Sequence, residues 1–159
     1  TETGSFVKKL TLFNPKDGVR EVDASFVKFS YRHTSLQNSP EIVLSVTLEL
    51  KEGSKEISKE LMKQIDEIRR GKQPIGYSAG SFFKNPLPDK AAGYLIDQVG
   101  LKGHSIGDAH ISEKHANFFM NKGNATTFQI LELANLAKHK VKEKFGIDLE
   151  MEVKVVGEL

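Results

Sequence analysis

Within one thirty-residue span the hydrophobic repeat changes from two to nearly four, so this chain is neither all-helical nor all-strand. In "EIVLSVTLEL" (41–50), Ile42, Leu44, Val46, Leu48 and Leu50 alternate with Val43, Ser45, Thr47 and Glu49, which predicts a strand. In "SKEISKELMKQIDEIRRG" (54–71), Ile57, Leu61, Ile65 and Ile68 are spaced by four, four and three, which predicts a helix with one apolar face, ending at Gly71. Other stretches follow one period or the other. "SFVKKLTLF" (5–13) is rich in β-formers and runs into the turn "NPKDG", predicting a strand and hairpin. "KAAGYLIDQVG" reads as a short helix closed by Gly100, and residues 101–124 as two brief strands around a charged turn. Thr126 and Gln129 have capping-box spacing ahead of Ile130, Leu133, Ala137, Val141 and Phe145, a helix running to Gly146. "IDLEMEVKVVG" (147–157) alternates again and predicts a final strand with one charged face. Strands and helices intermingle with hairpins as well as crossovers, so the expected class is α+β.

Residues 72–89, "KQPIGYSAGSFFKNPLPD", hold three prolines and two glycines, predicting irregular, partly exposed backbone and a boundary between two lobes. At 159 residues the chain is long enough for one well-buried core and only marginally for two. Net charge is +2, too small to argue for nucleic acid or an anionic membrane. The sequence contains no cysteine, which excludes disulfides and thiolate chemistry and fits a reducing compartment. There is neither an apolar run of membrane-spanning length nor a signal-like start, so a cytoplasmic location is expected.

Several side chains carry candidate chemistry. Ser81 follows Gly80, whose bare backbone permits close approach of a ligand; the hydroxyl either serves chemistry or caps a turn. His104, His110 and His115 are spaced by six and five, which fits neither a helical ligand pair nor a usual zinc spacing, so no metal is expected. Arg69, Arg70, Lys72 and Lys84 flank the Gly/Pro stretch, either as an anion-binding rim or as a solvated helix end. Glu150 and Glu152 share the polar side of the last predicted strand.

Four strings, in order and across nearly the whole chain, carry a resemblance: "FSYRHTSLQ" (29–37), "RRGKQPIGYSAGSFFKNP" (69–86), "AAGYLIDQVGLKGHSIGDAHISEKHANFFMNKGNAT" (91–126) and "FGIDLEMEVKVVG" (145–157). Together they resemble the UDP-N-acetylenolpyruvoylglucosamine reductase family, flavoproteins that complete UDP-N-acetylmuramate for peptidoglycan. The resemblance implies FAD and NADPH as cofactors and UDP-N-acetylglucosamine enolpyruvate as substrate, in a monomer. It implies that Ser81 is the proton donor, that Arg32 clamps the enolpyruvyl carboxylate, and that Glu152 donates a hydrogen bond to it. Glu152 is chosen over Glu150 because the second carboxylate of the family's ending precedes the valine. Lys72, Asn85 and Tyr31 match substrate positions, with His115 and Asn117 lining the pocket and Arg69 and Gly80 on the cofactor side. No tyrosine-bearing insertion is present, which is the pattern of the compact branch. In that light residues 1–71 resemble the C-terminal part of a flavin-binding domain, a mixed-sheet remnant with its connecting helix, and 72–159 a small α+β substrate-binding domain. The chain by itself is then expected to bind flavin weakly and turn over little. A cofactor-free α+β module binding an acidic sugar-nucleotide or protein partner through the cationic rim is the alternative.

Overall fold

A computed structural model describes residues 2–157. The chain divides into two compact units, Thr1–Ser58 and Lys59–Leu159.

The first unit is an antiparallel three-stranded sheet in the order β2-β1-β5, built from β1 (Val7–Asn14), β2 (Gly18–Asp23) and β5 (Ile42–Leu48). Asn14 and Gly18 close the first hairpin. The Asn14 side chain accepts the Lys16 N–H at 2.9 Å, and Gly18 takes φ +75°, a backbone angle that favours glycine. Leu10 and Leu12 on β1 are buried with Val27, and Val7, Val22 and Leu36 pack around them. A two-residue-per-strand hairpin, β3 (Phe29–Ser30) and β4 (His33–Thr34), turns at Tyr31 and Arg32. The strand expected at 41–50 is present, but the burial its alternation implies is not: Ile42, Leu44, Val46 and Leu48 are all exposed, as is every other residue of β5. β5 is an edge strand of a sheet whose only buried cluster lies on β1 and Val27, so nothing among the described residues covers it. Helix α1 (Lys55–Lys72), of which only Lys55–Ser58 belong to this unit, likewise has the expected apolar stripe and no buried residue.

The second unit is a four-stranded antiparallel sheet in the order β6-β9-β8-β7, with β6 Tyr77–Ser81, β7 Ser105–Ile106, β8 Ala109–Ile111 and β9 Phe118–Asn121. Helix α3 (Thr127–Phe145) packs on β7, β8 and α2 (Ala92–Gln98), burying Leu133, Ala134, Ala137 and Val141. Its start is the expected capping box, Gln129 N–H to the Thr126 hydroxyl and Thr126 N–H to the Gln129 side chain, and it stops at Gly146 with φ +69°. Phe82 and Phe119 stack at 4.4 Å, with Phe83 edge-on to both. The architecture is α+β, as expected.

Two sequence expectations need correction. The stretch 72–89 contains strand β6, because its partner β9 lies some forty residues downstream and pairing outweighs the local Gly/Pro content. The strand expected at 147–157 is only an isolated bridge, Met151 to Phe83. Lys84 N–H to Glu150 C=O and Glu152 N–H to Phe82 C=O, both at 2.9 Å, are the backbone bonds that this pairing makes. Beyond them Asn85 and Pro86 turn away toward α2, and the ladder cannot grow.

Candidate active site

The site is built around the end of β6. Ser78 pairs with Met120 and Ser81 with Phe118, so three steps on β6 match two on β9, a bulge of one residue. Gly80 supplies the bulge with φ +80°, and apart from its two chain neighbours no described residue comes within 4 Å of where its Cβ would stand. The backbone at Gly80 is therefore uncovered on that side. The Ser78 hydroxyl accepts the Gly80 N–H at 3.3 Å and so performs the turn-closing role. Among the described residues the half-buried Ser81 hydroxyl makes no hydrogen bond, which leaves it open to a ligand rather than spent as a cap.

Immediately after Ser81 the backbone is fastened from two sides. Phe82 donates its N–H to Asn117 C=O at 2.8 Å and accepts the Glu152 N–H at 2.9 Å. Phe83 donates to the Asn117 side-chain oxygen at 2.9 Å, and its C=O accepts the Asn117 amide at 2.8 Å. Lys84 forms an ion pair with Glu150, whose side chain is 72% exposed. The two glutamates thus part: Glu150 goes to Lys84 and solvent, while half-buried Glu152 has its backbone tied to the residue that follows Ser81.

Asn117 is 3% exposed. Expected to line a pocket, it is instead engaged with backbone at both ends of its side chain. Its own N–H goes to His115 Nδ1 at 3.2 Å, so His115 accepts there and carries its proton on Nε2. Burial, assisted by the Lys102 charge, pushes the His115 pKa down and favours the neutral ring, with only a backbone hydrogen bond opposing. The ring sits edge-on to Phe118 at 4.9 Å, and Gly93 of α2 makes room for it, since a Cβ there would come within 3.0 Å of the imidazole Cε1. Asn85 accepts the Ala92 N–H at 3.1 Å and so starts α2. Arg69 and Lys72 are exposed on the last turn of α1, which Lys114 ties to its own turn through the Arg70 carbonyl at 2.5 Å.

Arg32 and Tyr31 belong to the first unit. They form the tip of the β3–β4 hairpin, where Arg32 takes φ +55°, the one non-glycine residue with positive φ among those described. Its guanidinium lies 5.2 Å from the Tyr31 ring centroid. A bulky residue held left-handed stores about 1 kcal/mol of strain, and such strain clusters at functional positions. Sequence reasoning named Ser81 and the glutamates from motifs. The Asn117 clamp, the room at Gly93 and the strain at Arg32 had no local signal, because each is a relation between distant segments. Among the described residues no three His, Asp or Glu side chains gather as a metal site would require, and no helix is long and apolar enough to cross a membrane.

A family model described as the C-terminal domain of UDP-N-acetylenolpyruvoylglucosamine reductase matches residues 72–156. The chain is 42% identical over 159 residues to the UDP-N-acetylenolpyruvoylglucosamine reductase of Caldanaerobacter subterraneus subsp. tengcongensis, covering 99% of this chain and 52% of that protein. It is 41% identical over 155 residues to the protein of that name from Bacillus licheniformis, covering 96% of this chain and 83% of that one. The solved structure of UDP-N-acetylenolpyruvylglucosamine reductase from Thermus caldophilus matches with a TM-score of 0.80 and 37% identity, over 95% of this chain and 53% of that chain. The chain spans about half the length of most of these relatives. It belongs to the UDP-N-acetylenolpyruvoylglucosamine reductase family and carries that family's C-terminal domain at residues 72–156.

Proposed function

We propose that the polypeptide carrying this chain reduces UDP-N-acetylglucosamine enolpyruvate to UDP-N-acetylmuramate with FAD and NADPH, residues 72–159 forming the substrate domain and residues 1–71 the end of the flavin-binding domain. The observation that carries this reading is Ser81: among the described residues its hydroxyl makes no hydrogen bond, it directly follows a glycine bulge, and the Glu152 backbone is bonded to the next residue. When bound, flavin would supply the hydride chemistry, directed at the enolpyruvyl methylene carbon. Charge then develops on the adjacent carbon and its carboxylate, and this chain's residues must stabilise it and deliver a proton. By the resemblance, Arg32 matches the carboxylate with a planar fork of donors, and Glu152 supplies a hydrogen bond to the same group. The Ser81 O–H bond breaks as the new C–H bond forms, and the resulting alkoxide recovers a proton from solvent. An alcohol is a weak acid, so this transfer depends on the stabilisation supplied by the other two groups. Lys72, Asn85, Tyr31 and His115 hold the sugar-nucleotide, and Arg69 and Gly80 face the cofactor.

The test is Ser81→Ala in the protein completed to the length of its relatives. Product formation should fall by roughly 10²- to 10⁴-fold while NADPH still reduces the bound flavin. An unchanged rate of product formation would remove Ser81 and the reading built on it.

A further inference from the structure

Buried amide side chains have to satisfy both their donor and their acceptor, and Asn117 does so on a single residue of the segment that follows Ser81. Its oxygen takes the Phe83 N–H at 2.9 Å, its nitrogen gives to the Phe83 C=O at 2.8 Å, and its backbone C=O takes the Phe82 N–H at 2.8 Å. A neighbouring strand would offer that donor and acceptor pair from its backbone; here one side chain imitates it, with Glu152 fastening Phe82 from elsewhere. We propose that Asn117 is a positioning residue that fixes the Ser81 hydroxyl for proton transfer through this three-point hold on Phe82 and Phe83, a role resting on the reading of Ser81 as proton donor.

The residue type follows from the geometry. An aspartate at 117 keeps the acceptor and loses the donor, leaving the Phe83 C=O unpaired. Leucine fills the volume and abandons both peptide groups. Glutamine carries the same amide one methylene too far. Asparagine alone presents both groups at this reach. The hold also has its own support, since the Asn117 N–H is taken by His115 Nδ1 at 3.2 Å. Because the register slips at Gly80, β6 fixes Ser81 on its upstream side only through a bulge, so the downstream fastening decides where the hydroxyl rests. Displacing a reacting group by about 1 Å can cost on the order of 10²-fold in rate.

The experiment is a double-mutant cycle in the protein completed to relatives' length and loaded with flavin, with UDP-N-acetylglucosamine enolpyruvate as substrate. It compares Asn117→Asp and Ser81→Ala singly and together, with Asn117→Ser replacing the aspartate should that variant fail to fold. Asn117→Asp should lower kcat by about 10- to 100-fold with KM little changed. In the Ser81→Ala background it should cost less than about 2-fold, because it acts through the group already removed. Hydrogen exchange in the 159-residue chain supplies a readout independent of turnover: the Phe83 amide should be protected in the native chain and selectively released in the variant. Equal losses from Asn117→Asp in both backgrounds would make Asn117 a purely structural residue and overturn the proposal, leaving the proposed function standing. A Ser81→Ala protein as active as the parent would overturn both.

Discussion

The two units bury their apolar residues on very different scales. Among the described residues, fifteen buried ones form one cluster between the sheet and the helices of the second, whereas in the first only Leu10, Leu12 and Val27 are buried together. The difference lies in what each unit contains rather than in how amphipathic its elements are. Helix α3 has a sheet to lie on, and Leu133 and Val141 end fully buried. Strand β5 of the first unit carries an equally clear apolar face, and Leu44 and Leu48 stay about half exposed, as do Leu61 and Ile65 of helix α1, most of which belongs to the second unit. An amphipathic pattern states a demand for a partner, and a segment keeps the pattern whether or not the partner belongs to its own unit. Exposed apolar stripes of this extent mark surfaces that pack against something.

This comparison can be broken by substitution, with hydrogen exchange reporting each unit. Leu133→Ala should cost about 2–5 kcal/mol in the second unit, because it opens a cavity in a packed cluster. Leu12→Ala should sit at the lower end, near 2 kcal/mol, because a small cluster collapses more easily around the gap. A larger loss at Leu12 than at Leu133 would reverse the ranking of the two cores.

Acidification should come next. His110 and His115, both in the second unit, have pKa values pushed below the usual 6.5, in each case chiefly by burial. The unfolded chain then binds protons that the folded chain resists. The stability this provides is complete above about pH 6.5 and declines as pH falls toward the folded-state values. A second unit equally protected at pH 7.5 and pH 5.5 would contradict the burial of these rings. Smallest of all should be Ile65→Lys on α1, within about 0.5 kcal/mol, since that side chain touches no core. A loss above 1 kcal/mol there would mean that the stripe is already covered in the isolated chain.

These contrasts also separate what the sequence could and could not express. Features whose cause is local were legible: the Thr126–Gln129 capping box, the Gly146 stop, the Asn14–Gly18 turn and the periods of α1, α3 and β5 all arise from neighbours in the chain. Strand β6 was missed because its reason for existing is β9, and the last strand was over-read because alternation at Leu149, Met151 and Val153 reports burial and not a ladder. In the site, the collar of Ser81 left open whether its hydroxyl caps a turn, and folding gives the turn-closing hydrogen bond to Ser78. The roles of Asn117 and Gly93 were not readable, since both depend on what folding brings opposite them.

Gly93 has an ordinary backbone angle inside a short helix, so a thermostabilising programme guided by propensity would nominate it for alanine and expect to gain up to about 1 kcal/mol. The methyl group would intrude on the imidazole at 3.0 Å and on the Asn117 Cβ at 3.4 Å, the two side chains that brace the Ser81 strand. The engineered protein would then disturb the hold on Phe82 and Phe83 in return for melting temperature, at a position twelve residues along the chain from Ser81.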